Sequence, residues 1–166
     1  MKKIIIGPSY PLRGGISQSN YALQSYFEDQ GEDVGIISYS LQYPKFLFPG
    51  KQQTAKGLER NVKNTFNLIN TLNPFSWIKV AKWISVKKPS YVIVRYWHPY
   101  FAICLSLILA LIRKKSIFII AWIDNVNPHE SIPFQDILTN LFLRNCDAFV
   151  VMSKSVQQDL IDSHNI

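Results

Sequence analysis

The sequence predicts a doubly wound α/β fold: a parallel sheet covered by helices on both faces, in three layers. Three observations carry this reading. Five short runs rich in β-branched residues recur along the 166 residues. Several of them (IIIG, YVIVR, FIIAW) are continuously apolar, as strands buried on both faces are. Helical patterns separate them, and strand–helix alternation of this kind winds in right-handed crossovers.

The elements follow in chain order. A first strand is expected over Lys3–Gly7, then the stretch SYPLRGGISQS, in which Gly14 and Gly15 turn the chain into a helix beginning near Ile16. A second strand spans Asp33–Tyr39. Behind it lies Gln42–Gly57, an irregular stretch with two prolines and the apolar group Phe46, Leu47 and Phe48. Loops of that length are usually functional or disordered, and this one is expected to be mobile until an acceptor or a membrane orders it. Trp77, Val80, Ala81 and Ile84 make a helical stripe with Lys79 and Lys82 off it. A third strand is placed at Tyr91–Arg95, and Phe101–Ile112, apolar nearly all round, is read as a buried helix. A fourth strand follows at Ser116–Trp122. Ile137, Leu138, Leu141 and Phe142 share one helical face, with Pro133 suited to the first turn. The fifth strand is Asp147–Met152. Ser153 caps a last helix marked by Val156, Leu160 and Ile161, and the sequence stops within it, as expected of one half of a larger protein.

Composition narrows the function. Hydrophobic residues make up 48% and charged residues 17%, the balance of a folded chain. A net charge of +7 and a pI near 9.4 suit an anionic partner. The lysines and arginines are scattered, without the basic stripe and interleaved aromatics of a nucleic-acid binder, so nucleic acid is not the expected partner. Cys104 and Cys146 sit in apolar contexts and read as buried spectators. No histidine has further ligands at metal-binding spacing, so neither a metal nor a cofactor is expected. The start lacks a signal-peptide pattern, and Phe101–Ile112 falls short of the roughly 20 residues a bilayer span needs. A cytoplasmic location follows, with peripheral contact on the inner membrane face through Lys79, Lys82, Lys87 and Lys88 as an option.

In a parallel sheet, ligands bind outside the carboxyl ends of the strands. The polar residues collect there: Pro8–Gly15 after the first strand, Tyr43 and Lys45 after the second, Trp97 and His98 after the third, Asp124, Asn125, His129 and Glu130 after the fourth. A single cleft is the expected result. Gly14 and Gly15 would let backbone approach a ligand, the following helix would offer free N–H groups to a phosphate, and Arg13 adds a charge. The pattern is neither G-x-G-x-x-G nor a P-loop, and a Gly-Gly turn also has an architectural reading. His98 and His129 have structural readings too. His129 has the stronger claim as a base, because carboxylates flank it. Trp97 and Tyr43 could stack on a sugar.

The motifs P-x-R-G-G-I-S, S-Y-S-L-Q-Y-P-K-F-L-F-P-G-K and D-N-V-N-P-H-E together resemble the amino-terminal domain of family 4 (group 1) glycosyltransferases of the GT-B fold. The resemblance covers essentially all of Met1–Ile166. It implies a Rossmann-like acceptor-side domain, half of a two-domain enzyme, that lends its glycine loop to a nucleotide-sugar diphosphate. It implies sugar transfer with retention, without a metal, to a glycan or lipid-linked acceptor in cell-surface polysaccharide synthesis. The donor-binding half would lie outside this chain. By the same resemblance, Arg13, Gly14 and Gly15 bind the donor diphosphate. Tyr43, Lys45, Trp97, His98, Asn125 and Glu130 hold the acceptor, and Asp124 and His129 are catalytic. Asp124 stands where members often carry a histidine. A carboxylate accepts a hydrogen bond from a sugar hydroxyl but cannot donate at neutral pH unless its pKa is strongly raised. The alternative of another class is a non-catalytic, flavodoxin-like phospholigand-binding or interaction module.

Overall fold

The computed structural model describes residues 1–44, 54, 63–115, 117–126, 133–164 and 166. Its elements run β1 (Lys3–Ile6), α1 (Gly15–Asp29), β2 (Val34–Leu41), β3 (Thr65–Asn70), α2 (Pro74–Lys87), β4 (Tyr91–Tyr96), α3 (Ala102–Arg113), β5 (Phe118–Ile123), α4 (Gln135–Leu143), β6 (Ala148–Val151) and α5 (Lys154–His164). A short 3-10 turn at Pro99–Phe101 leads into α3.

The six strands form one parallel sheet in the order β3-β2-β1-β4-β5-β6. That is the Rossmann order, in which the chain reverses direction between β1 and β4. A flavodoxin-like sheet would place its second strand first and its first strand next to its third. The alternative reading therefore loses its topology.

Alternation along the strands divides the interior in two. Ile4, Ile6, Ile37, Val92, Val94, Ile119, Ala121 and Ile123 face the larger core, shared with α2, α3, α4 and α5. Ile5, Val34, Ile36 and Ile93 face the other side, where Leu23 and Phe27 of α1 pack. Towards its amino end, α1 buries polar residues instead: Ser17, Asn20 and Gln24. Phe118, Val150 and Met152 are exposed at the far end of the same face.

Four sequence expectations need correction. Strand β3 was not foreseen: TFNLIN mixes polar and apolar residues because it is an edge strand, with only Ile69 fully buried. Pro133 lies two residues ahead of α4, whose first turn begins at Gln135 behind the left-handed Phe134 (φ 62°). The apolar α3 is not buried all round, since Ile103 faces solvent. The ends of the expected strands also shift, β2 reaching Leu41 and β4 reaching Tyr96. The cysteines are free and buried, as expected, and burial pushes both thiols up to about 12. Nearly all of the Gln42–Gly57 loop, including Phe46, Leu47 and Phe48, lies outside the described residues. No helix among the described residues is long and apolar enough to cross a membrane.

Candidate functional site at the switch point

Because every pairing is parallel, all six strands end on one edge of the sheet. Loops leaving β1 and β4 diverge to opposite faces at the point of reversal, which is where sheets of this kind bind their ligands. Gly14, Trp97, His98, Asp124 and Asn125 all lie at this edge. His129, Glu130 and Lys45 lie outside the described residues.

The loop from β1 to α1 is anchored at several points. The Ser9 N–H donates to Ser38 Oγ at 2.9 Å, the Leu12 N–H donates to the Ser9 carbonyl at 2.9 Å, and Asn20 Nδ2 donates to the Pro8 carbonyl at 2.8 Å. Leu12 is buried and pairs with Thr54 in an isolated antiparallel bridge. Beyond it Arg13, Gly14 and Gly15 are exposed. Gly14 holds φ 125°, ψ 164° as the residue preceding α1, a backbone state open to glycine. Among the described residues no side chain caps α1, so its first-turn N–H groups, which have no intrahelical acceptors, are left at this edge. A Cβ on Gly14 or Gly15 would meet nothing within 4 Å among the described residues.

Gly7, not singled out in the sequence, has the opposite character. A Cβ there would stand 2.6 Å from Asn20 Nδ2 and 2.9 Å from Arg95 Cγ. The β1 terminus, α1 and β4 thus meet in close contact. Its position at the end of an apolar strand was the available signal.

Arg95 is the other residue the sequence reading passed over. Its side chain is 1% exposed and forms an ion pair with Asp124, which is 15% exposed. Arg95 Nε donates to Asp124 Oδ2 at 3.0 Å, and a second guanidinium nitrogen donates to Oδ1. The third nitrogen reaches Ser19 Oγ of α1 at 3.2 Å, while the guanidinium lies 4.6 Å over the Trp122 ring. Asp124 is fixed by its backbone as well, its N–H donating to the Tyr96 carbonyl at 2.8 Å. Burial pushes the Asp124 carboxyl above the usual carboxylate range, opposed by the adjoining Arg95 charge. The carboxylate therefore serves first as counter-ion to a guanidinium that ties α1 to β4.

The aromatic residues at this edge engage one another. Tyr43 stacks on Tyr100 with centroids 5.4 Å apart and accepts a hydrogen bond from Trp97 Nε1 at 3.1 Å. Trp97 packs on Phe101 at 4.3 Å and meets Tyr39 edge-on. His98 Nδ1 accepts from the Tyr100 N–H at 3.0 Å and caps the 3-10 turn, which leaves the proton on Nε2. Asn125 is half-buried beside Asp124.

This is a Rossmann-like α/β domain with an open helix terminus at its switch point. No family model matches the chain. No curated protein is detectably similar to it in sequence. Solved structures share its fold. MurG from Acinetobacter baumannii superposes with a TM-score of 0.56 at 12% identity, over 94% of this chain and 42% of that one. An alpha-glucosyltransferase, solved in complex with UDP-glucose and DNA containing an abasic site, superposes with a TM-score of 0.60 at 11% identity. The match covers 99% of this chain and 40% of that one. Both are GT-B glycosyltransferases. The chain spans about two fifths of the length of each.

Proposed function

We propose that the chain is the amino-terminal, acceptor-side domain of a retaining family 4 glycosyltransferase. It would move a sugar from a nucleotide-sugar donor to a glycan or lipid-linked acceptor in cell-surface polysaccharide synthesis. The observation that carries this is the amino end of α1, uncapped among the described residues, beside two glycines with none of those residues within 4 Å of a Cβ there. A helical residue such as Gly15 would be more stable as alanine by about 1 kcal/mol. Glycine there keeps the approach to the first-turn N–H groups clear for an anion, and Arg13 adds charge. The shared fold of the two glycosyltransferases supports the class by architecture.

In this reading Arg13, Gly14 and Gly15 take the donor diphosphate. Tyr43, Lys45, Trp97, His98, Asn125 and Glu130 line the acceptor side, with His129 as the base or hydroxyl-orienting group. Asp124 acts through Arg95, holding the amino end of α1 in place. The main grip on the nucleotide belongs to a second domain outside this chain. A helix terminus contributes about 0.3–1 kcal/mol towards an anion, whereas micromolar binding needs roughly 8 kcal/mol. The chain alone is therefore expected to bind at millimolar strength and to transfer nothing.

The test is an amide chemical-shift titration with uridine and guanosine diphosphates and their sugars. Shifts at Gly14–Ser17 with millimolar midpoints, lost in Gly15→Val with the fold intact, are the expected result. Micromolar binding, turnover by this chain, or shifts confined to the opposite sheet edge would overturn the assignment.

A further inference from the structure

Helix α4 carries apolar side chains that the core does not use. Thr139, Phe142 and Leu143 are buried, whereas Ile137 is 65% exposed and Leu141 45%. Just ahead of the helix stands Phe134, 74% exposed and held at φ 62°. A bulky side chain in the left-handed region strains the backbone, and glycine or asparagine enters that region more readily. Most of the residue lies in water, so burial within this chain does little to offset the strain. Strained residues of this kind collect at functional sites. The spacing of the exposed stripe is symmetric. Phe134 and Arg144 lie five residues to either side of Thr139, and Ile137 and Leu141 lie two. Projected at about 100° per residue, all four fall within an arc of roughly 80° centred opposite the buried Thr139.

We infer that this stripe pairs with the same stripe on a second copy of the chain, the two α4 helices running antiparallel about a twofold axis level with Thr139. In that register Ile137 packs on the partner's Leu141, and Phe134 lies against the partner's Arg144, each contact being made twice. A guanidinium over an aromatic ring is attracted to its face. Charge agrees with the direction. Asp136 in the first turn and Arg144 just past the last give the helix ends of opposite sign, so antiparallel helices bring unlike ends together. Other occupants fit less well. Asp136 and Arg144 are the only charges from Pro133 to Asn145, so a bilayer finds no lysines here for its headgroups. An unrelated protein surface would not need a stripe symmetric about its own midpoint. The inference does not depend on the glycosyl-transfer reading.

One short helix per copy buries less than the roughly 800 Å² per partner of a standard interface, so the expected dimer is weak, half-formed on the order of 100 µM. Sedimentation velocity over a concentration series reaching about ten times that value reads it. Ile137→Ser/Leu141→Ser is expected to weaken association at least tenfold with unchanged circular dichroism, because both side chains are exposed. Phe134→Gly is expected to weaken it as much with Tm unchanged or raised, since glycine adopts φ 62° without strain. Phe75→Ser/Val86→Ser removes apolar groups of similar exposure, 74% and 73%, from α2 and is expected to leave association within twofold. When Ile137→Cys and Leu141→Cys chains are mixed in air, the mixed disulfide is expected to exceed either homodimer. A monomer throughout the series, equal loss in the α2 control, dimers that survive Ile137→Ser/Leu141→Ser, or an excess of homodimer disulfide would overturn the inference. So would vesicle binding that this α4 variant abolishes, without self-association.

Discussion

Asp124→Ala removes the only carboxylate that faces Arg95 among the described residues and leaves a guanidinium at 1% exposure without its counter-ion. Breaking a buried pair from one side costs about 3–5 kcal/mol. Here Asp124 keeps 15% exposure, and Arg95 retains Ser19 and the Trp122 face, so the lower end applies, about 3 kcal/mol. For a chain of this size each kcal/mol moves Tm by about 2–4 °C, which gives a fall of roughly 6–12 °C. Asp124→Asn keeps an acceptor oxygen and should lose about half as much. Removing both charges with Arg95→Met/Asp124→Leu should recover most of the loss, since desolvation no longer opposes folding. Urea melts of Arg95→Met, Asp124→Leu and the double variant beside the wild type give the coupling energy. A cost below about 1 kcal/mol for Asp124→Ala, or additive single-site costs, would refute the counter-ion role and return Asp124 to a purely catalytic reading.

The two loop glycines should part company. Gly14→Ala forces a side chain into φ 125° and is expected to cost about 1–3 kcal/mol, whereas Gly15→Ala, in open space and helical backbone, should be neutral or stabilise by up to about 1 kcal/mol in thermal melts. A pH dependence is expected from His164, whose Nδ1 meets Asn140 Oδ1 at 2.9 Å while its buried Nε2 has no partner among the described residues. Burial lowers its pKa, against the pull of Asp136, so protonation favours release of α5. Its contribution is fully present above about pH 6.5 and declines as pH falls from there towards the lowered folded value. Protection factors of α5 amides, exchange rates corrected for the intrinsic pH dependence, should fall over that window in the wild type and lose the dependence in His164→Leu.

The residues most informative at sequence level were those whose role is local. Ile4–Ile6, Val92–Val94 and Ile119–Ile123 announce strands because continuous apolar runs leave no solvent face. Trp77, Val80, Ala81 and Ile84 announce a helix by spacing alone. Ser153 was legible as a cap, and its Oγ accepts from the Val156 N–H at 3.3 Å. Since ligands gather at the carboxyl edge of any parallel sheet, the candidate site followed from strand order in the chain without distances. Strand β3 escaped because an edge strand is half in solvent and carries asparagines that read as loop.

What the sequence determined by itself was the alternation of elements, hence the layers and the edge on which Gly14, Trp97 and Asp124 would fall. Which groups meet across that edge was decided by tertiary structure. Arg95 and Asp124 are 29 positions apart, and neither shows its partner in its own surroundings. They meet because Arg95 on β4 is registered with Trp122 on β5, which sets the residue just past β5 beside the guanidinium. Gly7 is required by Asn20 and Arg95 arriving from α1 and β4, while Gly15 meets no such neighbour among the described residues. Periodicity encodes which side of an element is buried. Register and crossover, which depend on how distant strands pair, decide what is buried against it.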